Sequence, residues 1–289
     1  MTTNRETNTA DDCIAATEAL SRLQISKETS SSDDDAKVEY KPDLSSAPII
    51  ICDAFYGFPI QKRPRNERVR AVSRQLMNFL QWRSEASDKN KCTNSYVHVL
   101  GGKNDVEAVK TRVDELGTQV NEAPAGQLFF QPDVGIHQFL NDHTQSKEEI
   151  VYLSPDADYS LPATSRPPRI VIVGMLIDRR ITEDRSRRRA EDTLNIRAAK
   201  LPLDELRVKE LSSEEPLNVD TVMELMQRWW WNCDKVEDRL KQLKDNHKII
   251  NTDSDKYAHL YKKCFIEAAA FAMKTQRERH PNRTVHKTD

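Results

Sequence analysis

From residue 48 onward, short apolar runs alternate with longer stretches of helical periodicity, and this alternation restricts the fold more than any other feature. The runs are Pro48–Cys52, Ser95–Leu100, Gln127–Phe130, Glu149–Leu153, Arg169–Val173 and a short one near Ala198–Leu201. Each is β-branched or aromatic-rich and bounded by turn residues, the pattern of strands buried on both faces. Helical spacing fills the intervals: Asn66–Trp82, Asp105–Leu116, Val134–Asn141, Arg185–Leu194, Val219–Trp231, Lys235–Lys244 and finally Asp255 to about Arg279. Strand and helix in strict rotation predict an α/β fold, with a mainly parallel sheet and helices on both faces.

The first 48 residues break the rotation. Ten acids face five bases there, a net of −5, including the run Ser30-Ser31-Ser32-Asp33-Asp34-Asp35. Low hydrophobicity with local charge predicts a disordered acidic tail over 1–47, in which Asp11–Gln24 could form a short helix. Subtracting the tail from a total of −2 leaves the remainder mildly basic. The predicted organisation is therefore tail, an α/β domain over 48–247, and a C-terminal helix with a basic end over 248–289. The apolar fraction of 37% falls below the roughly 45–50% usual for soluble domains, as a tailed chain should.

Glycine scarcity removes several function classes. The seven glycines form neither G-x-G-x-x-G nor G-x-x-x-x-G-K-[ST], so a dinucleotide fingerprint and a phosphate loop are both excluded. No stretch approaches the roughly 20 apolar residues of a membrane span. Five scattered cysteines without a C-x-x-C suit a reducing compartment. The N-terminus lacks a secretory apolar core and carries Glu6, Asp11, Asp12 and Glu18, unlike an Arg-rich presequence. Nucleus or cytoplasm is the expectation, with mitochondrial import left open. No metal site is expected, since His137 and His143 lack ligand spacing and cysteine companions.

Chemistry gathers beyond the carboxyl ends of parallel strands. There stands Arg169-Ile-Val-Ile-Val-Gly-Met-Leu-Ile-Asp178, with Gly174 the sole glycine in the second half of the chain. Gly174 is either a plain strand–loop turn or a point of close backbone approach by a ligand. Asp178 is either a helix cap or a general base whose pKa partial burial would raise. Six arginines then fall within eleven residues: Arg179, Arg180, Arg185, Arg187, Arg188 and Arg189. A second basic cluster holds Lys62, Arg63, Arg65, Arg68, Arg70 and Arg74. Such clusters are either solvated helix faces or phosphate contacts, and two of them in a negatively charged chain favour nucleic acid. The run Trp229-Trp230-Trp231 cannot lie on one helix face, so one or two should be buried.

Four motifs occur in order: Val151-Tyr-Leu-Ser-Pro-Asp-Ala-Asp158, Ile170-Val-Ile-Val-Gly-Met-Leu-Ile-Asp178, Leu201-Pro-Leu-Asp204 and Leu217-Asn-Val-Asp-Thr-Val-Met-Glu-Leu-Met226. Together with Ile49-Ile-Ile-Cys-Asp53 they resemble the SPOUT-class tRNA methyltransferases that modify N1 of the purine at position 9. The resemblance covers roughly residues 48–245. It implies a C-terminal trefoil knot and S-adenosyl-L-methionine held by the knot's loops without a glycine-rich fingerprint. It implies cofactor positions at Leu153, Gly174, Met175, Arg179, Arg180, Ile181, Thr182, Glu183, Leu201, Asn218, Val219 and Asp220, and the general base at Asp178. It also implies tRNA contacts by Lys62, Arg63, Arg65, Arg68, Arg70, Arg185, Arg187, Arg188 and Arg189. Two departures stand out: Met175 replaces the family's second glycine, and Asn218-Val219-Asp220-Thr221 replaces a threonine-rich loop.

Two functional expectations follow. The first is an S-adenosylmethionine-dependent enzyme methylating N1 of purine 9, guanine before adenine. The second is a catalytically weak or inactive tRNA-binding subunit of an RNase P-like processing complex. A monomer is the default expectation, with protein partners in tRNA processing left open.

Overall fold

The computed structural model describes residues 47–55, 59–88, 95–117, 128–144, 146–175, 184–205, 217–245 and 254–279. Six strands form one sheet: β1 Ile49–Asp53, β2 Tyr96–Gly101, β3 Leu128–Pro132, β4 Ile150–Leu153, β5 Ile170–Gly174 and β6 Ala198–Ala199. Their order is β3-β2-β1-β5-β4-β6, and every pairing is parallel. The helices are α1 Lys62–Asp88, α2 Lys103–Gly117, α3 Ile136–His143, α4 Arg185–Arg188 with a π-turn over Arg189–Thr193, α5 Val219–Asp245 and α6 Ser254–Arg279. The predicted helix over 11–24, Gly57 and the acidic tail lie outside the described residues.

Strand periodicity sorts the core into two layers. Ile50, Cys52, Val97, Val99, Val151, Leu153, Val171 and Val173 face one layer with residues of α1, α2, α5 and α6. Ile49, Ile51, Ile150, Tyr152, Ile170 and Ile172 face the other with residues of α3 and Ala190 and Leu194 after α4. Side chains alternate across a strand, so each apolar run buries itself twice and needs helices on both sides. That explains why the runs read as continuous hydrophobics rather than alternating patterns.

The two helices predicted at the tryptophan run are one. No Pro or Gly interrupts residues 219–245, and Asn232 Nδ2 donates to the Cys264 carbonyl of α6 at 3.0 Å. Packing between α5 and α6 carries the helix through the expected break. Trp229 and Trp230 are fully buried. Trp229 packs at a tilt of 59° against Phe265, with ring centroids 4.8 Å apart, and the Trp230 indole N–H donates to the Pro168 carbonyl at 3.1 Å. Trp231 is half-buried beneath the Lys235 ammonium, 3.6 Å from the ring centroid.

A buried imidazole stands out in the sheet. His98 of β2 sits between Phe129 and Phe139, at centroid distances of 5.0 and 4.6 Å. Among the described residues neither ring nitrogen makes a well-formed hydrogen bond. Burial pushes its pKa down to about 4, His143 adds to the fall, and the nearby Gln131 carboxamide works against it. Among the described residues, no helix is long and apolar enough to cross a membrane.

Candidate functional site

The chain leaves β1 toward β2 and β3 on one side, while β5, β4 and β6 extend the sheet on the other. The junction of β1 and β5 is therefore the topological switch point, where open α/β sheets open a crevice at their carboxyl ends. Asp53 ends β1 opposite Gly174, which ends β5. Gly174 brings backbone but no side chain to this place. The Met175 N–H donates to the Asp53 carbonyl at 3.0 Å, which extends the β1–β5 pairing by one residue. The Met175 side chain is 2% exposed within the α1–α2–α5–α6 layer.

Asp53 is fully buried, and an isolated carboxylate there would be costly. Three groups answer it. The Phe55 N–H donates to Oδ1 at 2.9 Å. The Tyr152 hydroxyl donates to Oδ2 at 3.2 Å, and Arg189 Nε reaches Oδ2 at 3.1 Å from 136 residues away. The same guanidinium lies 5.6 Å from the Phe55 ring centroid. Arg189 is thus turned into the sheet, where it neutralises an acid, instead of standing free for phosphate.

Next to it, the loop after β4 is tied to α4 three times. Ser154 Oγ and Ser186 Oγ are 2.8 Å apart. The Asp184 N–H donates to Asp156 Oδ2 at 3.0 Å, with Asp184 in the left-handed region at φ 59°. Arg187 bridges Asp158 at 3.2 Å and Asp184 at 3.0 Å. The first of the ordered motifs is therefore fastened to the arginine-rich segment, and Arg187 is engaged by acids. Arg185 and Arg188 are exposed. On α1, Lys62, Arg63 and Arg70 are exposed and Arg65 and Arg68 half-buried. Arg65 donates to Asp105 Oδ1 through Nη2 and Nε, at 3.0 and 3.2 Å, so it joins α1 to α2.

The start of α5 is held from both sides. Gln75 Oε1 of α1 accepts the Val219 N–H, and Gln276 Oε1 of α6 accepts the Asn218 N–H, each at 2.8 Å. Asp220 is fully buried. Asn78 Nδ2 donates to its Oδ2 at 3.0 Å, and Arg279 Nη1 lies 3.5 Å from the same oxygen. One turn on, buried Glu224 meets Arg228 at 3.1 Å and Arg279 at 3.3 Å. Burial nonetheless wins, raising the Glu224 pKa against the pull of both arginines. The expected cofactor position Asp220 is thus part of a helix–helix ion network. Asn218 and Val219 have their N–H groups satisfied by protein, so a ligand would meet their other atoms. Leu153 is buried and Leu201 half-buried, both against the same apolar layer. The Thr221 hydroxyl is buried with no hydrogen-bond partner among the described residues.

Asp178, Arg179, Arg180, Ile181, Thr182 and Glu183 lie outside the described residues. A cavity of about 170 Å³ sits elsewhere, bordered by Glu148, Pro168 and Arg197 at the amino ends of β4, β5 and β6. Among the described residues no group of His, Cys, Asp or Glu is disposed to hold a metal ion. Sequence reasoning missed the roles of Asp53, Arg189 and Glu224. An acid closing the wholly apolar run Ile49-Ile-Ile-Cys-Asp53 was the available signal for the first.

Sheet order and switch point define an open parallel α/β protein, a class that takes its ligands at the carboxyl ends of the strands. The chain belongs to the family described as tRNA (guanine(9)-N(1))-methyltransferase TRM10/TRM10A, whose model matches residues 74–249. Solved structures similar to it include spTrm10 (full length) in complex with SAH, at 20% identity, with TM-score 0.46, covering 77% of this chain and 96% of that one. Another is spTrm10(74), at 20% identity, TM-score 0.48 and coverages of 78% and 94%. A dual specific Trm10 from Thermococcus kodakaraensis follows at 12% identity, TM-score 0.40 and coverages of 63% and 90%. No curated protein matches the sequence.

Proposed function

We propose that this chain methylates N1 of the purine at position 9 of tRNA, with guanine the preferred base and S-adenosyl-L-methionine the methyl donor. The observation that carries the reading is the family match over residues 74–249, which spans the switch-point strand β5 and the whole of α5. A non-catalytic processing subunit draws no support from that match.

The residues present suit such a cofactor. Gly174 brings no side chain to the end of β5, Leu153, Leu201 and Leu217 are apolar surfaces for an adenine ring, and the buried Thr221 hydroxyl has no hydrogen-bond partner among the described residues. These residues together with Asn218 would hold it. When bound, it supplies an electrophilic methyl group on a sulfonium centre. The chain's task is to make the base a nucleophile. Guanine N1 carries a proton and attacks poorly until that proton leaves. In this reading the Asp178 carboxylate accepts the proton as the N1–methyl bond forms and the sulfur–methyl bond breaks. Holding both partners in line contributes the rest of the acceleration. Exposed Lys62, Arg63, Arg70, Arg185 and Arg188 would meet the tRNA backbone, and the buried position of base 9 calls for local extrusion.

The test is incubation of the full chain with labelled S-adenosylmethionine and unmodified tRNA transcripts, followed by mapping of the product. Label at N1 of guanine 9 is expected, and Asp178→Asn should slow methylation by about 10²–10⁴-fold with cofactor binding retained. Intact tRNA binding without methylation of any purine 9 would overturn the proposal.

A further inference from the structure

The family match ends at residue 249, before α6 begins at Ser254. Yet α6 reaches the start of α5. Gln276 is 1% exposed, and its Oε1 accepts the Asn218 N–H at 2.8 Å across 58 residues of sequence. Gln75 of α1 does the same for Val219 from the opposite direction, 144 residues away. Below them Arg279 of α6 and Asn78 of α1 both reach Asp220 Oδ2. The first N–H groups of a helix have no intrahelical acceptor and ordinarily take a side chain of their own segment, water or an anion. Here the acceptors come from two remote helices. The Asn218 carbonyl already receives the Val222 N–H at 3.0 Å, so both backbone polar groups of Asn218 are fixed.

We infer that Gln276 and Gln75 are positioning residues that clamp the entry to α5 and thereby hold Asn218 and Val219 in the conformation that binds the methyl-donor cofactor. The inference rests on the proposed function, which gives Asn218 to the cofactor together with its neighbours Leu217 and Thr221. Neither glutamine touches the reacting atoms; each acts through the backbone it accepts from. The arrangement makes α6 a working part of the methyltransferase site, although it lies beyond the matched region. A merely structural role would lower thermal stability and leave affinity per folded molecule unchanged.

The experiment uses the full chain and S-adenosylhomocysteine as the probe, with affinity by isothermal titration, amide hydrogen exchange at Asn218 and Val219, and Tm. Gln276→Met keeps the side-chain length and removes the acceptor; Gln75→Met does so from half-buried α1. Gln75→Glu keeps an acceptor oxygen and is the rescue variant. Loss of one ordinary hydrogen bond predicts binding weaker by about five- to tenfold in either Met variant. Exchange should accelerate at Asn218 in Gln276→Met and at Val219 in Gln75→Met, and Gln75→Glu should restore both readouts. Parental affinity in both Met variants, with accelerated exchange, overturns the inference. So does loss of stability alone. A parent chain that fails to bind S-adenosylhomocysteine overturns the cofactor reading and the inference together, an outcome distinct from a binding parent with indifferent variants.

Discussion

Two places in this molecule bury a carboxylate and answer it with an arginine from far along the chain, and they differ in what surrounds the pair. At the sheet's carboxyl edge, Asp53 has Arg189, one tyrosine hydroxyl and one backbone N–H. At the start of α5, Asp220 and Glu224 share Arg279, and Arg228, Asn78 and Thr275 complete the set. The first pair stands where strands end, at the switch point where parallel α/β sheets open a crevice. The second is sealed between three helices, with the Arg228 guanidinium 3.5 Å from the Phe271 ring centroid and 4.9 Å from that of Trp82. The same chemistry thus does two jobs: one pair shapes an open edge, and the other locks a seam.

The largest effect expected from this contrast is at the seam. Asp220→Ala strands Asn78 and Arg279 and should cost about 4 kcal/mol in thermal or denaturant unfolding, the range for removing one partner of a buried pair. His98 sets the scale for a buried group with no countercharge. Its folded pKa lies below its unfolded value, so its contribution is present above pH 6.5 and is lost as pH falls toward about 4. The loss should approach about 3 kcal/mol, and His98→Phe should flatten stability across that window. At the open edge, Asp53→Asn keeps shape and loses charge. It should cost about 2 kcal/mol and also weaken S-adenosylhomocysteine binding, which Asp220→Asn should affect less at equal stability. Equal effects on binding would break the distinction between edge and seam. The smallest effect concerns phosphate. Arg188→Gln should reduce the slope of log affinity for tRNA against log salt by about 1. Arg189→Gln should leave that slope unchanged, because its guanidinium faces Asp53, and an equal fall would return Arg189 to the tRNA surface.

The strands were legible because each buried run is apolar on both faces, a signal local to five or six residues. Helix α5 was legible in type and not in extent, since its continuation past Trp231 depends on α6 lying alongside. Arg189 stood within a cluster whose composition points to phosphate. Its inward turn depends on an acid 136 residues earlier, and no local pattern carries that information. Asp220 and Glu224 did leave a trace. With Met223 and Gln227 they occupy the buried stripe of α5 at the i, i+3, i+4, i+7 spacing of a core face. Acids in that phase call for buried cations, and the spacing alone does not say that Arg279 supplies one. Residues 178–183, where the general base is expected, gave a clear motif in sequence and lie outside the described residues.

The double clamp on α5 also has a timetable. All six strands precede residue 200, whereas Gln276 and Arg279 come near the end of the described chain. Domains assemble from the N-terminus as they leave the ribosome, so the sheet and the α1 half of the clamp are available while the α6 half is still being made. During that interval Asn218 lacks its distant acceptor. A nascent chain would therefore complete its sheet before it becomes competent to hold a cofactor, and synthesis of α6 would be the event that switches the site on.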